Sequence, residues 1–203
     1  MNKTYYQLEL EELKNIESNK KILLHSCCAP CSSHVISVLT NYADITILYY
    51  NPNISPKSEY DKRKEEQIRL IKEIQKNHNV DIIDCDYDND IYESLVKGYE
   101  DCPERGDRCT ICFNLRLEKT AKMAKLLGYD YFCSTLTVSP YKNSKLLNEI
   151  GEKLAEKYDV KWLHSDFKKE NGYKHSIELS KEYNLYRQDY CGCKYSIRTK
   201  KQE

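Results

Sequence analysis

Apolar and polar positions follow two rhythms along the chain: short continuous apolar runs, and longer stretches with apolar residues three and four apart. The short runs at Lys21–His25, Ile45–Tyr50, Val80–Asp84, Tyr131–Leu136 and Val160–Leu163 predict strands. Helical spacing predicts a leading helix over Lys3–Asn19 (Tyr6, Leu8, Leu10, Leu13, Ile16) and another over Ser58–Lys76, striped by Ile68, Leu70, Ile71 and Ile74. Further helices are expected over Ser32–Leu39, Asp90–Lys97, Arg108–Leu127, Ser144–Lys157 and His175–Tyr183. In the most regular of these, Arg108–Leu127, the apolar positions are Leu115, Leu117, Ala121, Ala124 and Leu127. Asn51-Pro52-Asn53 marks a turn, and Gly98 and Gly128 close helices.

Strands that alternate with helices imply an α/β fold: a doubly wound, mostly parallel sheet of about five strands, with right-handed crossovers. In that order the first strand lies at the switch point beside the fourth, so the loops Cys27–Cys31 and Ser134–Tyr141 are expected to face one crevice. No linker or repeat interrupts residues 1–203, which read as a single α/β catalytic domain ending in a Cys-Gly-Cys segment.

Composition narrows the chemistry. No run of eighteen apolar residues occurs, and Met1-Asn2-Lys3-Thr4-Tyr5 lacks the apolar core of a secretory signal, so a cytoplasmic protein without a membrane role is expected. Ten cysteines in a reducing compartment point to metal binding or catalysis rather than a disulfide framework. Net charge is zero, with 32 basic and 32 acidic side chains, so a nucleic acid would have to be met by a local patch. The tail Lys194–Lys201 is the best candidate, and the eighteen tyrosines offer stacking surfaces, although codon bias accounts for them equally well.

Seven of the ten thiols fall in three tight groups. Cys27, Cys28 and Cys31 follow the first strand, where α/β sheets place their sites. Cys109-x-x-Cys112 lies near a helix start, where the helix dipole favours thiolate. With Cys27 and Cys28 it completes four thiolates, the complement of a [4Fe–4S] cluster. A zinc site of four cysteines competes, but adjacent cysteines lack the spacing of a zinc knuckle. Cys31 reads either as a ligand to an additional metal or as a small residue buried at a helix N-terminus. Cys191-Gly192-Cys193 reads as a strained redox-active pair, as metal ligands, or as chance spacing. Cys85 and Cys133 are expected in the core, and Cys102 stands alone. The hydroxyl-rich loop Ser134–Asn143 suits a phosphate or ribose, or simply a turn and helix cap. His25 and His34 flank the first cysteine group as proton carriers or structural hydrogen-bonders, and Asp84, Asp107 and Asp189 are candidate oxygen ligands or ordinary surface charges.

Four motifs in order resemble the QueH-type epoxyqueuosine reductases. They are His25-Ser-Cys-Cys-Ala-Pro-Cys31-Ser, Arg108-Cys-x-x-Cys112-Phe-x-Leu-Arg116, Ser134-Thr-Leu-Thr-Val-Ser-Pro-Tyr-Lys142 and Tyr190-Cys-Gly-Cys193-x-Tyr-Ser. The resemblance implies a fold similar to the adenine-nucleotide alpha-hydrolase (HUP-like) class. It also implies cobalamin-independent reduction of epoxyqueuosine to queuosine at the wobble position of tRNA, the last step of queuosine biosynthesis, fed by an unidentified electron donor. By motif it gives Cys27, Cys28, Cys109 and Cys112 to a [4Fe–4S] cluster and Cys191 and Cys193 to a redox-active pair, with a further iron ion held by cysteine and aspartate. Gly106-Asp107 departs from the family's more glycine-rich lead-in to that helix. The alternative is a zinc-stabilised nucleic-acid-binding module without catalysis. An ATP-dependent tRNA thiolation enzyme would need a Ser-Gly-Gly-x-Asp-Ser loop after the first strand, and Ser26-Cys27-Cys28-Ala29-Pro30 does not provide one.

Overall fold

The computed structural model describes residues 3–17 and 19–197. Its five strands are β1 (Lys21–His25), β2 (Asp44–Tyr49), β3 (Val80–Asp84), β4 (Tyr131–Ser134) and β5 (Lys161–Trp162). They form one all-parallel sheet in the order β3-β2-β1-β4-β5, a doubly wound α/β fold of the HUP-like kind. The helices are α1 (Tyr5–Asn15), α2 (Ala29–Leu39), α3 (Lys57–Glu73), α4 (Asn89–Leu95), α5 (Asp107–Leu127), α6 (Ser144–Tyr158) and α7 (Gly172–Glu182). Helix α2 packs on α3 and α7, while α5 packs on α6 and the sheet.

Ile22, Leu23 and Leu24 of β1 are fully buried, as a strand covered on both faces requires. The register sets His25 opposite Leu48 on one side and Ser134 on the other. Both loops leaving these strands therefore emerge at the switch point, as the pattern predicts.

Local capping moves several boundaries. Helix α1 starts at Tyr5 because Thr4 and Gln7 form a reciprocal capping box. Helix α2 begins at Ala29, three residues before the predicted Ser32, because Pro30 is accommodated in a first turn. Strand β4 stops at Ser134, short of the predicted Leu136: the Ser134 hydroxyl accepts from the Leu136 amide (3.2 Å) and starts a 3-10 turn over Thr135–Val138. Leu127, expected on the buried stripe of α5, is 48% exposed in the last turn of that helix.

Helix α1 is docked through acidic and histidine groups. Glu9 is buried and accepts from the Asp166 amide (2.7 Å), with Asp166, itself paired to Lys168, and Glu12 as its charged neighbours. Burial pushes its carboxyl up to about 7 from an ordinary 4.5. His164 sits between Glu12 (2.5 Å) and Glu152 (3.0 Å); the hydrogen bond to Glu12 raises its pKa. A raised folded-state pKa gives stability that is complete below the unfolded value and lost as pH climbs through the folded one. For Glu9 that loss runs from about 4.5 to about 7 and amounts to about 3 kcal/mol at most. Thermal unfolding is expected at lower temperature at about pH 8 than at about pH 5, with a shallower slope in Glu9→Gln. A wild-type slope in that variant would remove Glu9 from the account.

Candidate metal-thiolate and redox site

The crevice above β1 and β4 gathers side chains from α2, α3, α5, the Thr135–Val138 turn and the Cys191–Cys193 segment. Adjacent cysteines can face one space only if the backbone turns between them. It bends at Cys27, and Cys28, extended (φ −175°), immediately precedes α2. As a result the sulfurs of Cys27 and Cys28 lie 3.7 Å apart, and with Cys31 they form a triad whose sulfurs all lie within 4.8 Å of one another. That is close enough for a single ion.

Cys27 is held by Thr135, whose hydroxyl accepts from the Cys27 amide (3.3 Å) and lies 3.6 Å from its sulfur. Hydrogen bonds from the Cys28 and Cys31 thiols, helped by Lys142 and Arg116, hold the Cys27 thiol well below its ordinary pKa despite burial. Cys28 also accepts from the Gln188 amide nitrogen (3.0 Å), which ties the C-terminal segment to the triad.

Cys109 and Cys112 lie one turn apart at the start of α5. Together with Cys191 and Cys193 they line a cavity of about 40 Å³, alongside Asn53 and Tyr92. Burial pushes the Cys112 thiol up to about 12, with the Arg116 guanidinium opposing it. An adjoining cavity of about 250 Å³ is lined by Cys31, Tyr141, Lys142, Tyr173, Asp189, Tyr190 and Cys191. Cys191 and Lys142 thus face both spaces. All seven clustered thiols surround one crevice, and all are free.

Two cations stand between the thiol groups. Arg116, one helical turn from Cys112, is 1% exposed. It donates to His25 Nε2 (3.2 Å), Asn51 Oδ1 (2.6 Å) and the Cys112 sulfur (3.8 Å). Because Nε2 accepts there, His25 is the neutral tautomer that donates from Nδ1 to Ser134 Oγ (2.8 Å). Burial, with Arg116 adding to it, lowers its pKa to about 3, so it is a structural hydrogen-bonder rather than a proton carrier. His34 likewise pairs with His175 at 3.0 Å. Burial opposes the Lys142 ammonium, but the electrostatic attraction of the neighbouring Cys191, Cys27 and Cys31 sulfurs outweighs it and raises its pKa above the ordinary lysine value.

The Cys-Gly-Cys segment is clamped to the loop after β2. Arg63, paired with Glu59 at 2.7 Å, donates to the carbonyls of Cys191 (3.2 Å) and Tyr190 (3.4 Å). The Gly192 carbonyl accepts from the Ser55 amide (2.9 Å), and Tyr190 donates back to the Ser55 carbonyl (2.7 Å). Gly192 has φ +127°, and a Cβ there would stand 2.9 Å from Ile54 Cγ1, so glycine is required on both counts.

Among the aspartates, Asp189 lines the larger cavity beside Cys31, Asp107 lies exposed in the first turn of α5, and Asp84 is an exposed partner of Lys64 (3.0 Å). Cys133 is buried in β4 as expected, and Cys85 is partly buried just after β3. Of the basic tail, Lys194 is exposed and paired with Glu93 (2.7 Å), while Arg198, Lys200 and Lys201 lie outside the described residues. Arg63, Arg116 and Gln188 were not singled out from the sequence as site residues. The available signal was a charged or amide side chain recurring on the buried stripe of an amphipathic helix, Arg63 and Gln67 on α3 and Arg116 on α5.

The donors suit a thiolate-bound metal centre. Sulfurs are abundant and deeply placed, and Arg116 and Lys142 beside them have no carboxylate partner among the described residues, an arrangement that asks for bound negative charge. Fold and site together define a doubly wound α/β oxidoreductase with a cysteine-rich centre at its switch point. The family model of epoxyqueuosine reductase QueH matches residues 22–199. Epoxyqueuosine reductase QueH of Staphylococcus epidermidis is 47% identical over 180 residues, 87% of this chain and 76% of that protein. Those of Streptococcus pyogenes (46% over 179 residues, covering 87% and 70%) and Haemophilus influenzae (44% over 190 residues, covering 93% and 76%) are similar. The chain belongs to the QueH family of epoxyqueuosine reductases. That membership sets aside the non-catalytic module.

Proposed function

We propose that the protein reduces epoxyqueuosine at the wobble position of tRNA to queuosine without cobalamin, on a [4Fe–4S] cluster held by Cys27, Cys28, Cys109 and Cys112. The observation that carries this reading is the convergence of three separated cysteine motifs on one crevice, with a buried arginine and a half-buried lysine beside them that make no ion pair among the described residues. Converting the epoxide to an alkene consumes two electrons and two protons and releases water. A cluster supplies electrons singly at low potential.

The residues of the chain supply the rest. Tyr141, Tyr173 and Tyr190 line the larger cavity, and Tyr141 is 57% exposed at its mouth, where it can stack on a nucleobase splayed from the anticodon loop. Arg187, exposed on the same rim, suits a backbone phosphate. Cys191 and Cys193 are assigned as a redox-active pair beside the cluster ligands, with Arg63 and Ser55 fixing their backbone. Cys31 and Asp189 line one wall and would be the residues to hold an added iron ion. A tRNA substrate also places the reaction in the cytoplasm, with a low-potential electron donor as partner.

The test is anaerobic reconstitution followed by reaction with epoxyqueuosine-containing tRNA and dithionite, read by nucleoside mass spectrometry. Loss of one oxygen from the nucleoside, only with iron- and sulfide-loaded protein, is expected. Equal conversion by metal-free protein, or none by fully loaded protein, would refute the assignment.

A further inference from the structure

Buried cations in this protein are handled in two ways. Arg63, 2% exposed, is given a carboxylate: Glu59 lies 2.7 Å away. Arg116, 1% exposed, is not. Its three hydrogen-bond acceptors are a neutral imidazole, an amide oxygen and the Cys112 sulfur, and it makes no ion pair among the described residues. Lys142, half-buried, also makes none among the described residues, although it lines both cavities. Leaving a guanidinium out of water without counter-charge is strongly unfavourable, and a half-buried ammonium without one adds to the cost. The surroundings of Arg116 are nonetheless prearranged: Asn51, which accepts from it, is itself held through a 2.8 Å hydrogen bond to the Ser26 carbonyl. The fold thus holds Arg116 in place beside the thiols, sets Lys142 on the walls of both cavities, and leaves the negative charge to whatever the thiols bind.

We propose that Arg116 and Lys142 are positioning residues for charge: they are the counter-charges of the metal-thiolate centre and raise its reduction potential. The inference rests on the iron–sulfur reading above. Four thiolates on an oxidised [4Fe–4S] core carry two net negative charges, and three once an electron is added. One electron enters from a low-potential one-electron donor; no bond forms or breaks. Two fixed cations therefore favour the reduced form over the oxidised one, and a less extreme donor suffices to load it. The larger effect is expected from Arg116, which is sealed from water, and the cleaner test from Lys142, whose partial exposure lets a neutral chain be accommodated.

The experiment is an EPR-monitored redox titration of anaerobically reconstituted wild type, Lys142→Met, Arg116→Met and Arg116→Lys, with iron and sulfide counted and folding checked by circular dichroism. Lys142→Met is expected to disfavour reduction about tenfold, which for one electron is 59 mV to lower potential. Arg116→Met, where it folds, is expected to shift further in the same direction, and Arg116→Lys to stay near wild type. A purely structural role would alter stability or cluster content and leave the potential in place. Wild-type potential in Lys142→Met overturns the inference while the iron–sulfur reading stands. Wild-type protein that takes up no iron and sulfide overturns that reading, and the inference with it.

Discussion

Cys27→Ser is expected to abolish detectable reduction of epoxyqueuosine in tRNA, a loss of about a thousandfold or more, or over about 4 kcal/mol of barrier. Three features single out this sulfur. It is the thiol whose pKa is driven down, by hydrogen bonds from Cys28 and Cys31 with Lys142 and Arg116 nearby. It sits at the join between β1 and the Thr135 turn, held at backbone and side chain by one hydroxyl. It is also a member both of the tight triad and of the proposed cluster set. Serine is nearly isosteric but a poor ligand to iron in a sulfur-rich site. Iron and sulfide should fall with activity while the circular dichroism spectrum stays that of wild type. A Cys27→Ser protein with full iron content and normal turnover would show that the centre is assembled without this residue.

A large effect on stability is expected at Gly151, outside the thiol crevice. A Cβ there would lie 2.2 Å from Cδ2 and 2.3 Å from Cε2 of Trp162. Trp162 cannot simply swing away. It is 4% exposed, its indole nitrogen donates to Asn148 (2.9 Å), and its ring packs edge-on to Phe132 at 5.0 Å. Asn148 in turn accepts from the Ser165 amide (3.1 Å), so moving the indole disturbs the loop after β5 as well. Gly151→Ala must therefore push α6 off the sheet. It should cost about 3 kcal/mol, near the top of the range for overpacked cores, and lower the unfolding midpoint by roughly 10 °C. An unchanged midpoint would mean that helix and sheet separate at this point without penalty.

The periodicity of the chain carried the alternation of strands and helices, and with it the parallel sheet and the crevice at the switch point. Boundaries were less legible wherever a side chain competed for a backbone amide. Ser134 ends β4 early for that reason, and Thr4 with Gln7 sets the start of α1. The cysteine motifs were visible because clustered thiols are rare and chemically loud. Their spatial neighbours were not: the fold brings Cys31 into a triad with Cys27 and Cys28 and lines one small cavity with Cys109, Cys112, Cys191 and Cys193.

By itself, then, the sequence determined the elements, their winding and the kinds of atom available for chemistry, because hydrophobic period and residue type are local properties. Only the tertiary structure decided which charges those atoms face. Arg116 lies on α5, ninety-one residues from His25 and sixty-five from Asn51, and Gln188 reaches Cys28 across a hundred and sixty. Whether an arginine meets a carboxylate, as Arg63 does, or thiols, as Arg116 does, depends on which segments the sheet brings to one edge, and no spacing along the chain records that.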